Sequence, residues 1–100
     1  MEKNYSRTDV LIVGAGPAGL ACAMALKKLK PELDVCVIDK ANGPGNHNLS
    51  GAVLEGASLH KLLDKCVAGW SEQPEAADIL GRKVEHDDLV FLTQADSYNI

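Results

Sequence analysis

The chain is poor in aromatic residues: Phe91, Trp70, Tyr5 and Tyr98 are the whole set in 100 residues. It also lacks an excess of positive charge, carrying a formal net charge of -4. Few stacking platforms and an acidic balance together exclude an intrinsic nucleic-acid surface, and no nucleic-acid partner is expected. Cysteine is sparse as well. Cys22, Cys36 and Cys66 show no C-x-x-C or other ligand spacing, so no metal site is expected and each thiol reads as a buried structural one. No internal repeat or low-complexity segment occurs. The apolar stretch at residues 10 to 26 is neither a signal peptide nor a membrane span, because Gly14, Gly16, Pro17 and Gly19 interrupt it and Asp9 precedes it. With Met1 so close to this stretch, a bacterial or archaeal cytoplasmic start is expected, with the protein cytoplasmic or peripheral on a bacterial inner membrane. One hundred residues make about one small domain, whereas a complete two-cofactor enzyme needs several times more, so the chain reads as part of something larger.

What is present is concentrated near the start. Val10 to Val13 is an aliphatic, β-branched run that suits a strand buried on both faces in a parallel sheet. Gly14-Ala15-Gly16-Pro17-Ala18-Gly19 follows at once, a G-x-G-x-x-G turn in the context that gives this motif its meaning. Gly14 permits the tight turn, Gly16 lets the main chain approach a pyrophosphate, and Gly19 lets the next helix pack closely on the strand. Pro17 suits the first helical turn, whose free N–H groups and positive dipole end face the phosphates.

The helix is expected from about Pro17 to Lys30, with Ala18, Ala21, Cys22, Ala25 and Leu29 as a narrow packing face. Lys27, Lys28 and Lys30 complement its C-terminal dipole, and Pro31 stops it. A second strand follows from Asp34 to Asp39. Asp39 stands at its carboxyl end, twenty residues after Gly19, where a carboxylate reaches the ribose hydroxyls of an adenosine. Its charge repels a ribose 2′-phosphate and disfavours NADP. The plain alternative is a Gly-rich turn with a surface Asp. The pattern predicts an α/β fold: the βαβ start of a parallel sheet in a Rossmann-like FAD/NAD(P)-binding domain, incomplete at its C-terminus.

Residues 40 to 51 form a polar, Gly-rich loop too long for a simple connection. Gly43, Pro44 and Gly45 are expected to bring the main chain back over a nucleotide, with Ser50 and Gly51 offering a hydroxyl and exposed amides; a plain surface loop is the alternative. His47 lies in this loop. Leu59, Leu62, Leu63 and Cys66 mark the apolar face of a helix from about Gly56 to Val67, on which His60 reads as solvated. Residues 71 to 78, with Pro74, read as an exposed connection. Glu85, His86, Asp87 and Asp88 read as a solvated edge before a strand from Leu89 to Thr93, which a hairpin through Gln94 to Ser97 joins to a strand starting near Tyr98.

The run from Val13 to Leu20, the acidic Asp39 followed by Lys40, and the segment Gly45-x-His47-x-Leu49-Ser50-Gly51 resemble the N-terminal region of the electron transfer flavoprotein-ubiquinone oxidoreductases. These belong to a wider FAD-dependent group that includes the geranylgeranyl reductases. The first motif is shared by many FAD flavoproteins and sets the cofactor class, while His-x-Leu-Ser-Gly narrows the family. The likeness is strong over about residues 8 to 56 and weak beyond Trp70. It implies an FAD-dependent oxidoreductase in which Gly14, Gly16, Pro17, Ala18 and Gly19 hold the FAD pyrophosphate, Asp39 and Lys40 border the adenosine, and Ser50 and Gly51 lie toward the flavin. Many flavoproteins have Glu where this chain has Asp39. The resemblance further implies electron transfer flavoprotein or another carrier as donor, a quinone as acceptor, and a 4Fe-4S cluster on cysteines outside this chain. A geranylgeranyl-reductase-like enzyme and a non-catalytic nucleotide-binding module are the competing readings; no catalytic residue is assigned.

Overall fold

The computed structural model describes residues 2–99. It divides after Trp70 into two units, each taken by itself.

The first unit is a strand-helix-strand built as the sequence predicts. Strand β1 (Val10–Val13) pairs in parallel with β2 (Val35–Ile38), Val10 opposite Val35 and Val13 opposite Ile38. The N-terminal ends are tied by the Asp34 carbonyl, which accepts from the amides of Asp9 and Val10 and from the Thr8 hydroxyl, while the Asp9 carboxylate accepts from the Asp34 amide. Helix α1 (Pro17–Leu29) crosses between the strands, starting with Pro17 in its first turn and carrying Lys27 and Lys28 in its last. The Lys27 ammonium donates to the carbonyls of Pro31 and Leu33, pinning the connection into β2. Helix α2 (Gly56–Cys66) packs against α1, with Leu59, Leu62, Leu63 and Cys66 partly covered as the apolar spacing requires. His60 remains exposed on α2, its ring 5.2 Å from that of Trp70.

Three expectations are corrected here. The strands are covered on one face only. Val10, Ile12, Val35 and Val37 face partial cover, whereas Leu11, Val13, Cys36 and Ile38 are exposed, Val13 at 77%. A two-stranded sheet with a helix on one side has nothing on the other among the described residues. For the same reason the thiols are not buried: Cys22 and Cys36 are exposed and Cys66 is half-covered. The packing face of α1 also differs, since Ala18, Cys22 and Leu29 are exposed and the covered residues are Gly19, Ala21 and Ala23 to Leu26. The helix contacts the sheet and α2 at once, so its covered arc is wider than a single stripe.

In the second unit, the stretch expected as an exposed connection is helical. A 3-10 turn (Trp70–Glu72) begins on the last residue of the first unit, and helix α3 (Pro74–Leu80) follows, with Pro74 in its first turn and Glu75 complementing the dipole. Pro74 starts a helix here, a position where its missing N–H costs nothing. Strands β3 (Val90–Leu92) and β4 (Ser97–Asn99) then form the expected antiparallel hairpin. Its turn is closed by Thr93, whose amide donates to the Asp96 carbonyl and whose hydroxyl accepts from the Asp96 amide.

Candidate dinucleotide site

Strand β1 hands the chain directly to the turn at its carboxyl end. The Gly14 amide donates to the Ile38 carbonyl at 2.7 Å, extending the parallel pairing by one step. Gly14 then takes φ +112°, a conformation that side-chain-bearing residues avoid. Ala15 follows at 5% exposure, the one buried apolar side chain among the described residues.

The glycines of the turn are required for three different reasons. At Gly14 the backbone demands it. A Cβ on Gly19 would run into the Gly14 carbonyl oxygen, so close helix-strand packing demands it there. Gly16 has neither constraint. Its φ of -83° suits any residue, and a Cβ would meet only Asn48 Oδ1, in ordinary contact at 3.6 Å. The described residues leave room for a side chain at the point where the motif has none.

The start of α1 is bare in the same way. Gly16 gives no side-chain cap, and the first turn has no acid. Most helices place Ser, Thr, Asp or Asn at this position to satisfy the free N–H groups. An anion is compatible with this end because the first turn itself carries no acidic side chain to repel it.

Asp39 stands just past β2 and uses both carboxylate oxygens. Oδ2 accepts from the Ala15 amide and Oδ1 from the Ala41 amide, each at 2.7 Å. The Ala15 bond, followed by that from Ala41, holds its carboxyl below the ordinary carboxylate range; slight desolvation opposes this, and His47 and Lys40 add smaller pulls in the same direction. Each oxygen retains a further lone-pair site for an outside donor such as a hydroxyl.

Two open hollows meet at Asp39. One, of about 520 Å³, is lined by Val13, Gly14, Ile38, Asp39, Lys40 and His47. The other, of about 220 Å³, includes Ala15, Leu20, Asp39, Ala41 and Pro44. The structure therefore gathers Gly14, Asp39 and Lys40 around one space, with Gly16, Pro17, Ala18 and Gly19 in the adjoining turn and helix start. Ser50 and Gly51 are exposed and line neither hollow. Sequence reasoning assigned nothing to Ala15, Ala41 or Asn48. The two alanines act through backbone amides that any residue type would supply, so only the small buried side chain at position 15, set between two motif glycines, was a signal.

The family model described as the NAD(P)-binding Rossmann-like domain matches residues 12–82. The chain belongs to this family. It is also similar to curated proteins named electron transfer flavoprotein-ubiquinone oxidoreductase, as the motifs led us to expect. The Pseudomonas aeruginosa protein is 41% identical over 97% of this chain. The mitochondrial protein of Rattus norvegicus is 39% identical over 94%, and a probable mitochondrial protein of Schizosaccharomyces pombe 38% over 92%. The matched segment makes up 17%, 15% and 14% of these three relatives, so the chain spans only a small part of their length. No solved structure matches the chain significantly. No helix among the described residues is long and apolar enough to cross a membrane.

Proposed function

We propose that this chain is the FAD-binding part of a flavoprotein oxidoreductase related to the electron transfer flavoprotein-ubiquinone oxidoreductases. The observation that carries the reading is Gly16, a motif glycine that the described fold does not itself require, set at a helix start without a cap or an acid. A diphosphate lying against the main chain at that point supplies the missing reason. The likeness across nearly the whole chain to proteins named electron transfer flavoprotein-ubiquinone oxidoreductase, the family whose motif resemblance implies FAD, favours FAD over NAD as the dinucleotide.

In this reading Gly14 and Gly19 set the shape of the turn, and the main chain from Gly16 through Pro17 and Ala18 to Gly19 lies against the diphosphate, its N–H groups coming from Gly16, Ala18 and Gly19 since Pro17 has none. Asp39 holds the turn through Ala15 and keeps lone pairs for the ribose hydroxyls. Lys40 and His47 border the adenosine side of the hollow. Ser50 and Gly51 extend toward the flavin. When bound, FAD accepts electrons and passes them on, while the polypeptide positions it and tunes its potential. The donor is electron transfer flavoprotein or a similar carrier and the acceptor a quinone, in keeping with the names of the relatives; any iron-sulfur cluster would rest on cysteines outside this chain.

The protein carrying this chain should purify yellow and release FAD on denaturation. Replacing Gly16 with Val should abolish flavin retention while leaving the secondary structure intact. A colourless product that binds NAD, or a Gly16→Val protein with unchanged FAD content, would overturn the reading.

A further inference from the structure

The first turn of α1 offers a phosphate no side-chain donor. Pro17, Ala18, Gly19 and Leu20 present only hydrogen or hydrocarbon, and Gly16 presents nothing. Any side-chain donor has to arrive from elsewhere in the chain, and the loop after β2 brings one. Its Gly45 amide donates to the Ala15 carbonyl at 3.2 Å, fastening the loop onto the turn. The amides of Asn46 and Asn48 then bond to the carbonyls of Gly43 and Gly45, at 3.2 and 3.0 Å. These successive turns carry the Asn48 carboxamide to Gly16: Oδ1 lies 3.6 Å from the point a Cβ on Gly16 would occupy, and Nδ2 lies 3.7 Å from the equivalent point on Gly45. The carboxamide of Asn46, in contrast, lies against Gly43.

We infer that the Asn48 carboxamide is a ligand of the dinucleotide's diphosphate, an inference that rests on reading the turn as a dinucleotide site. Diphosphate oxygens only accept, whereas a carboxamide has two N–H donors on one nitrogen and can present them by rotating about its last torsion. Lys40 and His47 line the hollow beside Gly14 and Ile38, so the neutral Asn48 is the polar side chain from the loop found at Gly16. A hydrogen bond to a charged group of this kind changes affinity about tenfold or more.

The test titrates the protein with FAD, ADP and adenosine, comparing wild type with three variants. Asn48→Ala should weaken FAD and ADP about tenfold and leave adenosine unchanged. Asn48→Asp, nearly the same shape, should weaken the two phosphate ligands further by charge repulsion, again sparing adenosine. Asn46→Ala should match wild type. Unchanged FAD affinity in both Asn48 variants, or an equal loss for adenosine and ADP, would overturn the inference while leaving the FAD reading intact. Wild-type protein that binds none of the three ligands would overturn that reading, and the role of Asn48 with it.

Discussion

The amide of the buried Ala15 donates to Asp39 Oδ2 at 2.7 Å, joining the interior of the glycine turn to the end of the second strand. The carbonyl of the same residue accepts from Gly45. Ala15 is therefore held on both sides, by a carboxylate and by a loop amide. The other Asp39 oxygen holds Ala41, so one side chain sets both the turn and the first step of the loop.

Asp39→Asn tests this double hold. The carboxamide keeps one acceptor but presents an N–H where the second amide also points, so one of the two bonds is lost. FAD affinity should fall about tenfold and the thermal midpoint by several degrees. The pH dependence follows from the same bonds. A carboxyl whose folded value is depressed contributes stability above its unfolded value and loses that contribution as pH falls through the folded one, so the loss lies at and below the ordinary carboxylate range. Unfolding midpoints measured from pH 6 down to pH 2 should drop less steeply in Asp39→Asn than in wild type.

Gly19→Ala separates packing from ligand contact. Its methyl group has no place beside the Gly14 carbonyl, so α1 must shift away from β1. The expected cost is about 1–3 kcal/mol of stability, read by urea denaturation with or without nucleotide. Gly16→Val should show the opposite pattern, with stability close to wild type and no flavin.

Thiol accessibility reports on the open sheet face. Cys22 and Cys36 are exposed and Cys66 is half-covered, so two thiols should react quickly with a chromogenic disulfide and the third more slowly. Cys36→Ser should remove one fast phase. Slow reaction at Cys36 in the native protein would mean that other polypeptide lies over Leu11, Val13 and Ile38.

Trp70, the single tryptophan, gives a local probe of the end of α2. Its indole N–H donates to Asp64 Oδ1 at 2.7 Å and its ring tilts 35° against that of His60. Asp64→Ala should free the indole and red-shift its emission by a few nanometres. His60→Ala should increase exposure of the same ring and give a shift of the same sign.

The strand-helix-strand was legible because its signals are local. An aliphatic run, a glycine turn, Pro17 at the helix start and Pro31 just past its end follow one another without conflict, and the structure differs only by a residue or so at the boundaries. Pro74 misled because the same residue that breaks a helix interior also starts one, and polar neighbours concealed which role applied. Burial was overestimated at Cys22 and Cys36 because an apolar strand or helix residue implies a covering partner, and residue type alone does not say on which face that partner lies. The position of Asn48 was not legible at all. It depends on the bond from Gly45 to Ala15, between residues far apart in sequence, and no local pattern encodes it.

The bond from Ala15 to Asp39 spans 24 positions, so the turn is fastened by a residue outside its own motif. Helix α1 and the glycine turn are built from neighbouring residues. The turn stays unfastened until β2 is available to pair with β1 and bring Asp39 beside Ala15. In a growing chain the glycine motif is therefore synthesised before the sequence-distant carboxylate that fastens it.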